Sequence, residues 1–152
     1  KARLVEFRRC VMAYPRSPLD TIGGMYHFAR MVDKIWLNFS GDLPDDYKER
    51  LGKGMDGYLC KFLGVKYSDV AAQVEAGKGD EEILEWCYEN GTPRSDFDRL
   101  LFNKFLEKLG WRDEDNGITK RLQDYKRDDG LADRNDIETI FDLIEVNEGR
   151  KD

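Results

Sequence analysis

Apolar residues recur at steps of three and four along most of the chain, which is the spacing of helices that bury one face. Five segments with this spacing are Met55, Leu59 and Phe62; Ile83, Leu84 and Cys87; Phe97, Leu101 and Phe105; Ile118, Leu122 and Tyr125; and Ile137, Ile140, Phe141 and Ile144. No run alternates apolar and polar residues as a half-buried strand does. The pattern predicts an all-α fold, a compact bundle of about seven helices in a single domain over residues 1–152.

Residues that start or stop helices stand between these segments. Ser68, Asp80 and Ser95 are predicted N-caps, and Ser95 with Asp98 has the spacing of an acidic capping box. A glycine readily adopts the left-handed conformation that closes a helix C-terminus. The predicted closing residues are Gly64, Gly77, Gly91, Gly110 and Gly130.

The longest helix is predicted from Gly24 to Asn38. Its apolar stripe consists of Met25, Phe28, Val32, Ile35 and Phe39. Prolines follow Tyr14 and Ser17, and a residue that precedes proline is disfavoured in a helix. Residues 1–20 are therefore predicted to form an extended, basic N-terminal arm.

Composition supports one folded unit with an uneven charge. The length of 152 residues is that of an ordinary domain, and 40% hydrophobic residues are enough for a core. The net charge of −6 divides unequally, because residues 1–66 hold 12 basic and 8 acidic side chains and residues 67–152 hold 13 and 23. The positive half leaves room for an anion-binding region, or else the two halves attract each other.

Cysteine usage and hydropathy predict a cytoplasmic protein without a membrane segment. Cys10, Cys60 and Cys87 form neither a disulfide framework nor a CxxC motif, which fits a reducing compartment. No apolar run approaches the ~18 residues of a membrane helix, and no signal peptide is recognised. Because the chain begins at Lys1 without Met, a short upstream segment could be missing.

Several strings resemble a bacterial family known as domain of unknown function 5069. They are Pro15-Arg16-Ser17-Pro18, Gly23-Gly24, Arg30-Met31-Val32-Asp33-Lys34-Ile35, Leu51-Gly52-Lys53-Gly54-Met55-Asp56-Gly57 and Phe62-Leu63-Gly64, and the likeness continues to a C-terminal helix at Asp136 to Phe141. The resemblance implies a stand-alone bacterial cytoplasmic protein. It implies no activity, so no functional residue is carried over from it.

A polar face of the longest helix is the first candidate site. Gly23, His27, Arg30, Lys34 and Asn38 fall in one sector, opposite the apolar stripe. Arg30 and Lys34 repel each other and favour a counter-charge. Asp33 could supply it, which makes this a solvated, salt-bridged face. The alternative is an anion site whose ligands are Arg16, His27, Arg30 and Lys34, since guanidinium and ammonium groups bind carboxylate or phosphate.

His27 is the only histidine, and therefore the only candidate for proton transfer near neutral pH. A general base needs an orienting carboxylate, and none stands at an adjacent helical spacing. Cys60 as a nucleophile would also need a base, so it is interpreted as a buried thiol. The catalytic residue is accordingly left unknown, with His27 as the only candidate.

The remaining motifs give weaker evidence for a functional site. Gly52-Lys53-Gly54-Met55-Asp56-Gly57 matches a dinucleotide fingerprint, but no strand precedes it; it remains a second, weaker anion candidate. The run from Asp113 to Gly117 lacks the end ligands of a calcium loop and is interpreted as a solvated turn. Neither a metal site nor a cofactor is predicted.

Three functions follow from these observations. The first is binding, with or without turnover, of a small anionic metabolite at the basic helix face. The second is a protein interaction module that uses an apolar surface or the acidic half. The third, weak nucleic-acid binding through Arg3, Arg8, Arg9 and Arg16, is disfavoured by the acidic remainder of the chain.

Overall fold

The computed structural model describes residues 14–152, and its regular structure is helical. Eight helices occupy this range: α1 Phe28–Ser40, α2 Asp45–Lys48, α3 Met55–Leu63, α4 Tyr67–Glu75, α5 Asp80–Asn90, α6 Asp96–Lys108, α7 Ile118–Asp128 and α8 Ile140–Asn147. Extended pairing among the described residues is limited to an isolated antiparallel bridge between Ile22 and Met25. The all-α prediction is confirmed, and the helix beyond the predicted seven is the four-residue α2.

The described residues divide into two compact units, residues 14–100 and residues 101–152. In the first, α1 packs against α4, and α4 also packs against α3 and α5. In the second, α7 packs against α8. That residues 1–152 form one domain stays a prediction. No helix within residues 14–152 has the length and apolar character that a membrane span requires.

The second unit has a small core of its own. Leu122, Ile137 and Leu143 are buried there, and Leu131, Ile140 and Val146 pack against them. The acidic turn that precedes α7 is not fully solvated as expected, because Asp113 is buried. Its carboxylate accepts a hydrogen bond of 2.8 Å from the Gly110 backbone N–H. Among residues 14–152, no group of three His, Cys, Asp or Glu side chains is placed to hold a metal ion.

Helix α1 is the centre of the first unit and is buried on nearly all sides. Its buried residues are Phe28, Ala29, Arg30, Met31, Val32, Asp33, Lys34, Ile35 and Leu37. Phe39, assigned to the apolar stripe, is instead 56% exposed. In the polar sector, His27, Arg30 and Lys34 are buried, while Gly23 and Asn38 at its two ends are exposed. The expectation of a solvated face is therefore wrong for the three side chains that carry the candidate site.

The predicted start of α1 at Gly24 is also wrong. Ile22 and Met25 exchange backbone hydrogen bonds of 3.3 and 3.0 Å across a tight turn. Gly23 and Gly24 take positive φ angles of 57° and 77° there, and His27 follows with φ 68°. A helix cannot continue through left-handed residues, so α1 begins at Phe28.

The described part of the predicted N-terminal arm is not free in solution. Residues 14–20 form no helix or strand, as expected, but Pro15, Ser17 and Pro18 are buried. The Asp20 backbone N–H closes a turn on the Ser17 carbonyl oxygen at 3.1 Å. The basic residues Arg3, Arg8 and Arg9 of the arm lie outside the described residues.

Glycines end the helices largely as predicted. Gly64, Gly77, Gly110 and Gly130 have positive φ angles of 69°, 82°, 100° and 74°. Gly91 does not, because its φ is −128°. A Cβ at this position would overlap the Leu63 carbonyl oxygen, so lack of space explains the glycine there.

Two of the three predicted N-caps are displaced. Lys66 rather than Ser68 precedes α4, and Gly79 rather than Asp80 precedes α5. The predicted box at α6 is present, since the Asp98 N–H donates to Ser95 Oγ at 3.1 Å and the Ser95 N–H donates to Asp98 Oδ2 at 3.0 Å. Asp80 is thereby available for a different role, described below.

Candidate functional site

A fully buried carboxylate, Asp56, joins the residues that the sequence singles out on α1. Its Oδ1 lies 2.7 Å from His27 Nε2. The Lys34 ammonium donates to both of its oxygens at 2.8 Å. The Gly52 backbone N–H donates to Oδ2 at 3.1 Å. Asp56 lies in the first turn of α3, where the positive end of the helix dipole also favours a carboxylate. We call His27, Arg30, Lys34 and Asp56 the His27 cluster.

Lys34 and Asp56 form a buried ion pair. Burial by itself would raise the pKa of Asp56, but the Lys34 charge and the His27 hydrogen bond outweigh it and lower this pKa. Burial lowers the pKa of Lys34, and Asp56 opposes that shift. The carboxylate is therefore ionised, and it is the group that keeps a cation stable in the interior.

His27 is held in one orientation and one tautomer. Its backbone is left-handed, with φ 68°, and its N–H donates to the Pro18 carbonyl oxygen at 2.8 Å. An ionised carboxylate only accepts hydrogen bonds, so the proton of the neutral ring lies on Nε2 and faces Asp56. Nδ1 then carries a lone pair, and this buried atom has no hydrogen-bond partner among residues 14–152.

The imidazole is neutral at physiological pH. Burial lowers the pKa of His27 to about 4, and the charges of Lys34 and Arg30 act in the same direction. The interaction with Asp56 acts against this shift and is outweighed. A buried, unsatisfied nitrogen costs free energy, so such an atom needs an explanation.

Arg30 extends the cluster towards the N-terminal segment. Its side chain is buried, and Nη1 donates to the Arg16 carbonyl oxygen at 3.2 Å. The guanidinium carbon lies 5.8 Å from the centre of the Tyr47 ring, within range of a cation–π contact.

Arg16 binds two carboxylates with one guanidinium group. Its Nε and Nη2 donate to Asp33 at 2.9 Å each, and its Nη1 and Nη2 donate to Asp80 at 2.9 and 3.2 Å. Burial by itself would lower the pKa of Arg16, but the hydrogen bonds with Asp80 and Asp33 outweigh it and raise this pKa. The arginine therefore fastens the N-terminal segment to α1 and α5.

The structure thus places the four sequence candidates in two bonded groups: Arg30 donates to the Arg16 backbone, and His27 and Lys34 share Asp56. Arg16 and Lys34 are each neutralised by carboxylates, and Asp33, expected to neutralise Arg30, accepts hydrogen bonds from Arg16. The orienting carboxylate for His27 exists after all and comes from another helix. Sequence reasoning missed Asp56, although it shares the buried face of α3 with Leu59, Cys60 and Leu63.

The contacts of Asp56 and the burial of Cys60 also argue against the two other candidates, the glycine-rich loop and the Cys60 thiol. In the glycine-rich loop, the Gly52 N–H that an anion would use already binds Asp56. Cys60 is a buried thiol, as interpreted from the sequence, and its Sγ lies 3.9 Å from Met31 Sδ. Burial raises the pKa of Cys60 to about 11, so thiolate chemistry at neutral pH is disfavoured.

A comparison with protein families matches residues 12–150 to a domain of unknown function, DUF5069. The chain belongs to the DUF5069 family. The matched range includes every residue of the His27 cluster and the two carboxylates that bind Arg16, those of Asp33 and Asp80. A comparison with the curated proteins finds no match. For this DUF5069 chain, function therefore has to be argued from the geometry.

Proposed function

We propose that this protein binds a small anionic metabolite that also carries a hydrogen-bond donor, and that His27 Nδ1 accepts that hydrogen bond. The observation that carries the proposal is the buried Nδ1 lone pair, which has no partner among the described residues. Asp56 holds the opposite nitrogen, so the ring presents Nδ1 as an acceptor rather than a donor. Such a pairing of carboxylate and imidazole is the arrangement that orients a general base.

The charges around the ring favour an anion as its ligand. Lys34 and Arg30 both disfavour protonation of His27. A bound anion would oppose their effect and raise the pKa of the imidazole. The ring is neutral when Nδ1 accepts the hydrogen bond of the ligand. In turnover, as proposed here, the proton of that hydrogen bond passes from the bound metabolite to Nδ1.

The burial of His27 sets the expected kinetics. The residue is 1% exposed, so a ligand reaches Nδ1 only through a local opening. Its left-handed φ of 68° is uncommon for a histidine, and such strained residues concentrate at functional sites. We expect association to be slower than the roughly 10⁵–10⁷ M⁻¹s⁻¹ of sites that need no conformational change.

NMR of the histidine ring tests this proposal directly. The chain has one histidine, so labelling it with ¹⁵N gives a spectrum of two assignable nitrogens. Inorganic phosphate, which keeps a proton at slightly acidic pH, should shift the Nδ1 resonance. Sulfate has a similar charge but no donor and should shift it less. If neither anion moves either nitrogen at high concentration, the proposal is wrong.

Two variants separate binding from a general salt effect. Arg30→Gln should weaken phosphate binding on the order of tenfold, the usual effect of one charged hydrogen bond. Lys61→Gln removes an exposed cation of α3 and should leave the titration unchanged. Equal weakening in both variants would attribute the binding to overall charge instead.

The bacterial and cytoplasmic assignments are part of the same proposal. Their support is the family resemblance together with two buried free thiols, Cys60 and Cys87. Burial raises the pKa of Cys87 to about 12, which keeps this thiol protonated. Localisation of the tagged protein in its native host provides the measurement.

A further inference from the structure

A short segment that precedes α1 lies against the backbone of His27. We call this segment, residues 15–20, the strap. The carbonyl oxygen of its Pro18 accepts a hydrogen bond of 2.8 Å from the His27 backbone N–H. Nδ1 adjoins the ring carbon attached to Cβ and is therefore the ring nitrogen nearer the backbone, while Nε2 faces Asp56 of α3. The strap thus lies on the side of the histidine where Nδ1 is found.

Hydrogen bonds within the strap hold it as a single turn. The Asp20 N–H donates to the Ser17 carbonyl oxygen at 3.1 Å, and the Ser17 N–H donates to Asp20 Oδ2 at 3.2 Å. The Leu19 N–H donates to Ser17 Oγ at 3.1 Å. Pro15 and Pro18 restrict the backbone further. Because these bonds do not depend on the helices, the strap keeps its shape when its contacts with them break.

Arg16 fastens the strap to two helices. Its guanidinium group binds Asp33 of α1 and Asp80 of α5, and its backbone N–H donates to Asp33 Oδ2 at 2.9 Å. The side chain of Asp33 is 6% exposed and that of Asp80 is 20% exposed. Water therefore competes more readily for the bond to Asp80 than for the bonds to Asp33. The pair of Arg16 and Asp80 is the point at which the strap can detach from α5.

We propose that the strap is a gate over His27, and that the ion pair between Arg16 and Asp80 holds this gate closed. When the gate opens, Asp80 releases the guanidinium group, the Pro18 carbonyl leaves the His27 N–H, and Nδ1 becomes accessible to solvent. Water hydrates the polar groups that this motion releases. Helices α1 and α3 stay in place, so the ring keeps its orientation. The gate supplies the local opening that ligand binding requires, and in that respect it rests on the proposed function.

Acylation of the single histidine by diethyl pyrocarbonate measures how often the gate is open. The reagent attacks an unprotonated nitrogen, which in the neutral ring is Nδ1. When closing is faster than acylation, the rate is proportional to the open population. Mass spectrometry of the peptide that contains His27 should show acylation of the wild-type protein faster than its free energy of unfolding allows through global unfolding. A rate no faster than that overturns the proposal.

Two substitutions in the first turn of α5 separate the ion pair from the effect of charge on this helix. Asp80→Asn weakens the bond to Arg16 and should raise the acylation rate on the order of tenfold, the usual effect of one charged hydrogen bond. Glu81→Gln is the matched control, because Glu81 lies in the same turn, is exposed and forms no ion pair among residues 14–152. It should leave the rate unchanged. Equal rates in the two variants would show that Asp80 does not hold the gate.

Amide hydrogen exchange locates the motion. The His27 N–H is bonded to the strap, whereas the Met31 N–H is bonded to the His27 carbonyl oxygen within α1, at 2.9 Å. Asp80→Asn should accelerate exchange at the His27 amide about as much as acylation and leave the Met31 amide unchanged. Acceleration at both amides would mean that α1 itself opens, which contradicts a gate formed by the strap. Acylation and exchange need no anion, so their outcome is independent of the phosphate titration that tests the proposed function.

Discussion

Lys34 Nζ lies 2.8 Å from both carboxylate oxygens of Asp56, and the two residues are buried at 8% and 0% exposure. The pair joins α1 to α3 across 22 positions of sequence. Both charges are buried, so the ionised form of each is favoured by the other. Asp56 in turn fixes His27. The pair is therefore both a link between helices and the support of the proposed site.

Removing one member of this pair should cost far more than removing both. Asp56→Leu leaves a buried cation without its carboxylate and should lower the free energy of unfolding by about 3–5 kcal/mol. The double variant Lys34→Met with Asp56→Leu replaces the pair by apolar groups and should lose less than the sum of the two single variants. Urea unfolding of all four proteins gives the coupling energy.

An exposed pair serves as the control for that cycle. Lys120 and Asp124 stand one turn apart on α7, and the Lys120 side chain is 80% exposed. Their coupling should be about 0.3–0.5 kcal/mol, the usual range for such pairs on a helix surface. A coupling at Lys34 and Asp56 no larger than this would show that the buried pair contributes little to the fold.

Acid should destabilise the protein through His27. The pKa of His27 is lowered from 6.5 to about 4, so the unfolded chain takes up a proton while the folded chain does not. The stabilisation that the neutral ring provides is complete above pH 6.5 and is lost as pH falls towards 4. The loss should approach about 3 kcal/mol, at 1.36 kcal/mol per pKa unit.

His27→Asn isolates this effect from other titrating groups. Asparagine tolerates the left-handed backbone and keeps a donor for Asp56, but it does not titrate. The difference in unfolding free energy between wild type and variant should therefore shrink as pH falls from 6.5 towards 4. A difference that stays constant over this range would mean that His27 is not a depressed titrating group.

The sequence predicted which residues of α1 share a face, but not where that face points. Arg30 and Lys34 fall in one sector because helix geometry requires it. His27 precedes the helix with a left-handed backbone and lies beside Lys34 because both contact Asp56. A polar sector opposite an apolar stripe is normally solvated, and here a carboxylate from α3 makes burial tolerable. Such a partner is distant in sequence, so periodicity along one helix cannot reveal it.

Sequence signals that depend only on nearby residues also gave a correct prediction. The Ser95 capping box depends on residues three apart, and it is present. The start of α1 is also set locally, by the bridge between Ile22 and Met25 and the left-handed Gly23 and Gly24, but apolar spacing does not detect such a turn. The conformation of Gly91 depends on tertiary packing, because the Leu63 carbonyl oxygen leaves no room for a side chain.

Arg16 should not be replaceable by lysine. One guanidinium binds both Asp33 and Asp80, whereas an ammonium group has no planar fork for two carboxylates. Arg16→Lys should lower the free energy of unfolding by about 1.5–3 kcal/mol, measured in urea. Arg121→Lys, at an exposed position of α7, should change it by less than about 0.5 kcal/mol. If Arg16→Lys and Arg121→Lys lower the free energy of unfolding equally, the paired ion bonds of Arg16 to Asp33 and Asp80 do not stabilise the fold as described.

Glycine at position 91 should be required for space and not for backbone conformation. A Cβ there would overlap the carbonyl oxygens of Leu63 and Cys87, which are backbone atoms that cannot rotate away. Gly91→Ala should therefore cost about 3 kcal/mol or more. Gly41 is the opposite case, with φ 81° and no atom within 4 Å of its Cβ position, so Gly41→Ala should cost only about 1 kcal/mol. Thermal unfolding ranks the two variants. If Gly41→Ala proves the more damaging, conformation rather than space governs both sites, and the close approach of α5 to the Leu63 carbonyl is not as tight as described.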